Sequence, residues 1–141
     1  MKMAIFAGID KPAIICILCI CMEKIEFEAL VSEALGRLPE QFTQKLENID
    51  IVIEDEPSHN LLKDMHIGGG STLLGLYQGV PLSRRGFYYG NVLPDRIVLY
   101  MGPILREGGN TEEIADRVRM VVIHEIGHYF GLSDEELKEL E

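Results

Sequence analysis

The sequence predicts an α+β domain, and three observations support this fold class. Apolar residues recur at helical spacing over residues 25–38 and again over 114–130. Short, largely apolar runs at residues 49–54, 72–78 and 96–100 are typical of strands. The chain has 141 residues, a length that suits one domain with a modest core.

The first helix is predicted from about residue 23 to residue 37, just before Pro39. Its apolar residues recur three or four positions apart, which places them along one face of a helix. A short helical turn is expected to follow over residues 40–47. The apolar face of the first helix consists of Ile25, Phe27, Leu30, Val31, Ala34, Leu35 and Leu38.

A strand is predicted at residues 49–54, because polar and apolar residues alternate there and Pro57 follows. Residues 58–71 contain His59, His66 and three consecutive glycines, and they are predicted to form a loop. We expect both histidines to be ordinary surface residues.

Two further strands are predicted on either side of a long loop. The first covers residues 72–78 and is interrupted by Gly75. The second covers residues 96–100 and is closed by Gly102 and Pro103. Glycine, proline, arginine and aromatic residues lie between the two strands, and this composition predicts the loop.

A long buried helix is predicted near the carboxyl end of the chain. Asn110 is expected to cap its start, and Glu113 stands three residues later, as in a capping box. Apolar residues then fall on almost every side of the helix, which indicates that it is buried. These residues are Ile114, Val118, Val121, Val122, Ile123, Ile126, Tyr129 and Phe130.

The same helix carries the motif HExxHxxGxxD, which begins at His124 and ends at Asp134. His124 and His128 are separated by about 40° around a helix axis, so both imidazoles can face one metal ion. Glu125 can act as a general base on a metal-bound water. Gly131 can end the helix in a left-handed conformation, after which Asp134 can turn back as a third ligand. Two nitrogens, one oxygen and an open fourth position are what a catalytic zinc site needs.

The motif also has simpler interpretations, namely two core histidines with a surface glutamate, and a helix cap at residues 133–136. On a helical wheel Glu125 falls inside the apolar stripe, where an unpaired carboxylate is costly, and this position favours a functional role. For Asp134 the alternative stays open, since residues 133–136 also have the pattern of a cap and first turn of a short terminal helix. Capping by Ser133 and metal binding by Asp134 are compatible.

The chain resembles the small bacterial zincin-type metallopeptidases, which are described as minimal metzincin-like proteins. The resemblance depends on residues 122–134, which contain the motif, and on residues 27–39, 73–82 and 94–100. It extends over roughly residues 23–141, almost the whole chain.

This resemblance implies a minimal zincin-like domain at residues 23–141. Its expected architecture is a small mixed sheet of about three to four strands, packed on the N-terminal helix and on a buried HExxH helix near the C-terminus. Zinc (Zn2+) would be held by His124, His128 and Asp134, and Glu125 would be the base for peptide-bond hydrolysis. In such folds an edge strand binds extended peptide through its main chain, although an ordinary strand role remains the alternative here. The strand residues concerned are Leu74, Gly75, Leu76, Tyr77, Gln78 and Gly79.

Residues 1–22 form an apolar extension ahead of this domain. The run at residues 13–22 is too short for a helix that spans a bilayer, and no small-residue cleavage site follows it. We expect either an addition upstream of the natural start or an added strand. Cys16, Cys19 and Cys21 are expected to be reduced, and the absence of cysteine from residue 22 onward suits a cytoplasmic protein.

The charge of the chain restricts its partners. Thirteen lysines and arginines against 23 acidic residues give a formal net charge of −10, whereas nucleic-acid binders carry a basic surface. The expected partner is therefore a peptide or unfolded protein in extended form, with no nucleic acid and no membrane span. The oligomeric state is left open by the sequence.

Two alternative functions are kept. One is a zincin-fold protein that binds zinc with little or no proteolysis, because larger metzincins place a methionine turn beneath the metal and no methionine follows Asp134. The other, a metal-dependent nuclease, is less favoured. The histidine motif of small ribosomal-RNA processing factors resembles HGxxHxxGxxH, whereas this chain has Glu125 after the first histidine of its motif.

Overall fold

The computed structural model describes residues 2–7, 22–79 and 95–138, with only the backbone described for residues 2–7 and for Asp134. None of the helices in these ranges combines the length and apolar character needed to cross a bilayer. The elements are, in chain order, β1 (Lys2–Ala7), α1 (Lys24–Gly36), α2 (Glu40–Thr43), a 3₁₀ helix (Gln44–Asn48), β2 (Asp50–Glu54), α3 (His59–Asp64), β3 (Thr72–Gln78), β4 (Arg96–Tyr100), α4 (Met101–Arg106), α5 (Thr111–Tyr129) and α6 (Asp134–Lys138).

The strands in the described ranges form one mixed sheet with the order β1-β3-β4-β2. β2 and β4 are parallel, whereas β3 is antiparallel to both β4 and β1. The predicted α+β class with a small mixed sheet is therefore confirmed.

α5 is the central helix of the fold. It contacts β3, β4 and β1 on one side and α1 on another. The helix α1 contributes buried apolar residues to the core that it shares with α5. These residues are Phe27, Leu30, Val31 and Ala34. The predicted packing of the sheet directly on the N-terminal helix is not confirmed, because α1 makes its main contacts with α5.

The start of α1 differs from the predicted apolar face. Ile25 was expected on that face but is 75% exposed. The reason is that Ile25 lies about 200° around the helix from the fully buried Phe27.

At the other end of α1, Arg37 donates to Glu112 at 3.1 Å and links this helix to the start of α5. The hydrogen bond raises the pKa of the Arg37 guanidinium.

The prediction of a loop over residues 58–71 is wrong for its first half, which forms α3. Ser58 caps this helix, since its hydroxyl accepts from the N–H of Leu61 at 3.1 Å. Leu61 and Leu62 pack on a second core cluster at the face of the sheet away from α5. This cluster consists of Leu73, Leu76, Val98 and Tyr100. Two adjacent leucines are too few to show helical spacing, which explains why the sequence pattern missed the helix.

The end of β4 also differs from the prediction. Gly102 and Pro103 do not form a loop there but lie in the first turn of α4. Proline is tolerated in the first turn because its missing N–H would have no partner within the helix. The strand therefore passes directly into a helix.

β3 is continuous through Gly75, so the predicted interruption at that glycine is wrong. The strand instead contains a bulge. Ile5 pairs with Gly75 and Phe6 pairs with Leu73, so Leu74 is an extra residue on β3. A bulge of this kind re-aims the side chains that follow it.

Candidate active site

The start of α5 is fixed by side-chain hydrogen bonds. Asn110 Oδ1 accepts from the N–H of Glu113 at 2.9 Å, and the Glu113 carboxylate accepts from the N–H of Asn110 at 3.0 Å. This is the capping box that the sequence predicts, and it is confirmed. It fixes where the helix begins.

The end of α5 lies just after the HExxH residues. The N–H of Gly131 donates to the carbonyl of His128 at 3.0 Å, and the N–H of Leu132 donates to that of Gly127 at 2.9 Å. Gly131 has φ 77°, a conformation that glycine adopts at low cost. These bonds make a Schellman motif, so the chain turns sharply after the second histidine.

His124 and His128 lie side by side on α5. Their ring centroids are 4.5 Å apart and their planes are inclined by 79°. Both residues are half-buried, unlike the buried residues around them. The structure therefore brings together two imidazoles that can offer nitrogen donors to one ion.

Glu125 lies between the histidines in sequence but points into the protein. It has no exposed surface, and its Oε2 accepts from the backbone N–H of Tyr77 at 2.8 Å. A buried carboxylate without a partner is strongly destabilising, and this bond offsets part of that cost. It also fixes the carboxylate beside β3.

α5 and β3 approach each other closely at Gly75. A Cβ on Gly75 would lie 2.5 Å from Val121 Cγ1 and 3.7 Å from Glu125 Cγ. The absent side chain therefore allows the strand to pass beneath the helix. Further along, the Tyr77 ring lies 5.5 Å from the Tyr129 ring, so β3 and α5 also share an aromatic contact.

The other strand residues predicted to bind substrate have different surroundings. Leu74 belongs to the core beneath α5, whereas Leu76 belongs to the cluster on the opposite face. Gln78 accepts from Arg96 at 2.5 Å, and Gly79 lies beside Asp95 after the strand. β3 is bordered by β1 and β4, so neither of its edges is open in this arrangement.

α6 is attached to the end of α5 through Leu137. Leu137 is fully buried, and a Cβ on Gly127 would lie 2.8 Å from its Cδ1. At the start of α6, Ser133 donates its N–H to Glu136 Oε2 at 2.8 Å, and this bond lowers the pKa of the Glu136 carboxyl. Asp134 is the first residue of α6, and its side chain lies outside the described residues.

The donor set fits zinc in part. Among the described side chains no group of three or more histidine, cysteine, aspartate or glutamate residues is close enough to hold a metal. His124 and His128 supply two nitrogens of the kind that zinc accepts. The third ligand expected from the sequence is Asp134, whose backbone follows the helix-ending turn and opens α6. His59 and His66 are exposed, as predicted.

Three features of this region were not predicted from the sequence. They are the hydrogen bond from Tyr77 to Glu125, the close approach at Gly75 and the packing of Leu137 on Gly127. The glycine at position 127 is the available signal for the last contact, because glycine in a helix interior is unfavourable unless something packs closely against it.

A second titratable group lies away from this site. Tyr100 is 1% exposed and belongs to the core cluster on the face opposite α5. Burial, together with the negative charge of Glu54, raises its pKa to about 12. The phenol is therefore neutral at physiological pH.

Residues 46–141 match the family described as zincin-like metallopeptidases. The chain belongs to this family. A solved structure, a conserved hypothetical protein from Thermo thermophilus, is similar with 24% sequence identity over 84% of this chain and 100% of that chain, at a TM-score of 0.48. The comparison with curated proteins gives no match.

The family match includes the whole motif. It extends from the 3₁₀ helix before β2 to the end of the chain, and it includes His124, Glu125, His128 and Asp134. β1 and α1 precede the matched residues. The resemblance that the sequence predicts is therefore confirmed for the zincin-type family.

Proposed function

We propose that this zincin-like protein is a zinc-dependent metallopeptidase that hydrolyses peptide bonds in extended chains. The observation that carries the proposal is the position of Glu125. Its carboxylate is buried on α5 and is hydrogen-bonded to β3 at 2.8 Å. In sequence, Glu125 lies between His124 and His128, whose imidazoles are neighbours in space. Membership of the zincin-like metallopeptidase family supports the same chemistry.

In this proposal, His124, His128 and Asp134 hold the zinc ion. The 4.5 Å separation of the imidazole rings supports the first two ligands. The third is supported by the sharp turn at Gly131 and by the seating of Leu137, which keep the start of α6 close behind the helix. A site of two nitrogens and one oxygen leaves a position open for reactants.

Glu125 serves as the general base and then as the general acid. When bound, zinc supplies Lewis acidity, which makes water more acidic and polarises the carbonyl group of the substrate. A carboxylate oxygen of Glu125 takes the proton from the attacking water and delivers it to the leaving nitrogen. The hydrogen bond from Tyr77 limits how the carboxylate can rotate during both transfers.

The proposed substrate is a peptide or unfolded protein in an extended conformation. β3 is the strand nearest the base, and main-chain pairing with a strand gives affinity with little dependence on side chains. The Tyr77 amide fixes Glu125 from this same strand, so one element positions both the base and the substrate. A cytoplasmic location stays a prediction, since the three cysteines lie outside the described residues.

One alternative function is favoured by a specific observation. Glu125 has no exposed surface in the structure, whereas a base that exchanges protons with water needs access to it. A zincin-fold protein that binds zinc with little or no proteolysis would have the same buried carboxylate as a structural anchor. The two functions differ in whether zinc-loaded protein cleaves peptide.

Metal analysis tests the proposed ligands. We expect about one equivalent of zinc in the parent protein and loss of that zinc in His124→Ala and in Asp134→Asn. Glu135→Gln is the matched control, because it removes an exposed carboxylate from the neighbouring position of α6. Zinc retained at the parent level by Asp134→Asn and also by Asp134→Ala, which offers no side-chain oxygen, would exclude Asp134 as a ligand.

Peptide cleavage tests the activity. Zinc-loaded parent protein and Glu125→Gln are incubated with a panel of unstructured peptides, and the products are identified by mass spectrometry. Cleavage by the parent that is lost in Glu125→Gln, at equal zinc content, supports the peptidase. Equal cleavage by both proteins would point to a contaminating protease, and absence of cleavage by any form would favour the alternative function.

A further inference from the structure

β1 occupies the side of β3 that faces away from β4. Its residues pair antiparallel with β3 from Lys2 opposite Gln78 to Ala7 opposite Thr72. Because β4 takes the other side, the side held by β1 is where an additional strand could join β3. A strand offers each edge to one partner only, so β1 and an extended peptide cannot both pair there.

We infer that β1 is an internal competitor that occupies the peptide-binding edge of β3 and keeps the active site closed. This inference rests on the proposed function, because it identifies what blocks the substrate strand of that site. The occupant is a segment of the chain itself, residues 2–7, paired in the orientation that an added peptide strand could take.

The register places β1 next to the proposed base. Met3 is opposite Tyr77, whose amide donates to Glu125 at 2.8 Å. Ile5 is opposite Gly75, where α5 passes close to the strand. The backbone of β1 also contacts α5 itself. A peptide bound in place of β1 would therefore have its main chain beside the catalytic machinery.

The burial of Glu125 is explained by such a closed state. The proposed base has no exposed surface in the arrangement that includes β1. Proton exchange with water requires an element near Glu125 to move. β1 is the outermost strand of the described sheet, so it can leave without breaking the pairing of β3 with β4 or of β4 with β2.

The bulge on β3 makes this departure easier. The extra residue Leu74 interrupts the ladder between Ile5 and Phe6, so β1 is held as two short paired segments. β1 also precedes residues 46–141, which match the family. The competing strand thus lies outside the matched residues, which carry the motif.

The inference is tested in the full chain by locking and by releasing β1. The locked variant is Ala7→Cys/Thr72→Cys, which joins register partners by a disulfide after Cys16, Cys19 and Cys21 are changed to serine. Each single cysteine variant is treated with the same oxidant as its control. The released variant is Met3→Pro/Ala4→Pro. Adjacent residues of a strand direct their N–H groups to opposite edges, so one of these prolines removes a bond to β3.

The binding probe is a fluorescein-labelled peptide with the β1 sequence Lys-Met-Ala-Ile-Phe-Ala, followed by fluorescence anisotropy. A tethered strand competes at an effective concentration on the order of millimolar, so release is expected to strengthen peptide binding about tenfold or more. Oxidation of the locked variant is expected to abolish binding, and reduction with a phosphine is expected to restore it. Cleavage of unstructured peptides is measured on the same samples.

The outcomes separate the inference from the proposed function. Peptide binding that rises on release and disappears on locking, without any cleavage, supports the competitor strand and counts against the peptidase. Cleavage at equal rates in the parent, locked and released proteins supports the peptidase and overturns the competitor strand. Circular dichroism shows whether the released variant is folded; if it is not, the oxidised and reduced forms of the locked variant decide, and equal peptide binding by both overturns the inference.

Discussion

Leu137 on α6 occupies the space that a side chain at Gly127 on α5 would need. Leu137 is fully buried, and a Cβ at position 127 would lie 2.8 Å from its Cδ1. Gly127 stands between the two motif histidines in sequence, and Asp134 stands one helical turn before Leu137. The contact therefore sets the distance between the two proposed histidine ligands on α5 and the proposed ligand Asp134 on α6.

Gly127→Ala is expected to displace α6 and to weaken zinc binding. Overpacking of this kind costs about 1–3 kcal/mol in the free energy of unfolding. Loss of support around metal ligands lowers metal affinity by about 10–100-fold. Urea denaturation measures the first effect, and competition with a zinc-chelating dye measures the second.

Gly36→Ala is the matched control for this substitution. Gly36 also lies in a helix, but a Cβ there would meet nothing within 4 Å. We expect its zinc affinity to equal that of the parent. Parent-like zinc affinity in Gly127→Ala would show that the position of α6 does not matter to the metal.

Tyr100 predicts a loss of stability at alkaline pH. Burial raises its pKa to about 12, whereas a tyrosine in the unfolded chain has a pKa of about 10. Below pH 10 both states hold the proton, so the stabilisation is fully present there. Between pH 10 and 12 only the unfolded state loses the proton, so the free energy of unfolding falls as pH rises, by up to about 2 kcal/mol.

Urea denaturation at pH 8, 10 and 11 measures this dependence. Tyr100→Phe removes the phenol and keeps the ring, so its stability should change less between pH 10 and 11 than that of the parent. The other tyrosines are present in both proteins, and their contribution cancels in the difference. The same slope in both proteins would assign the alkaline loss to other groups.

Local signals predicted the elements that carry the motif. α5 was predicted because Asn110 and Glu113 stand at capping-box spacing and because apolar residues follow on nearly every side. The strands at residues 72–78 and 96–100 were predicted from short apolar runs and have those bounds in the structure. Such signals involve residues at most a few positions apart, which a single sequence displays directly.

Contacts between distant residues were not predictable in the same way. Tyr77 and Glu125 are 48 residues apart, and their bond depends on how β3 passes α5. The bulge at Leu74 depends on the register with β1, which no pattern within β3 specifies. Gly75 was interpreted as an interruption of the strand because glycine weakens strands, but the close approach of Val121 requires it there.

Gly75→Ala is expected to destabilise the protein through that approach. The new Cβ would lie 2.5 Å from Val121 Cγ1, and relief requires the Val121 side chain to turn or α5 to move away from β3. The expected cost is about 1–3 kcal/mol in the free energy of unfolding. Peptide cleavage should fall as well, because the same shift moves Glu125 relative to the strand.

Val121→Ala provides the compensating change. It removes the methyl groups that Gly75→Ala would meet, so the double variant should be more stable than the sum of the single effects by about 0.5–3 kcal/mol. Urea denaturation of the four proteins gives this coupling energy. Simple additivity would mean that the two positions do not compete for the same space.

Substitutions of Glu125 separate its chemical role from its structural role. Glu125→Gln keeps an oxygen that can accept from the Tyr77 N–H, so the fold should be retained. Peptide cleavage should fall by about 10²–10⁴-fold, because an amide cannot take the proton from water. Zinc content should stay at the parent level, since Glu125 is not one of the proposed ligands.

Glu125→Leu removes the acceptor as well as the acid. The amide of Tyr77 then loses its bond to Glu125 in a fully buried position, which costs about 1–3 kcal/mol. Thermal unfolding should therefore distinguish the two variants, with the leucine variant less stable and both variants inactive. If the glutamine variant were as unstable as the leucine variant, the bond to Tyr77 would depend on the negative charge of the carboxylate. If both were as stable as the parent, the bond would contribute nothing to the attachment of α5 to β3, and other contacts would position the base.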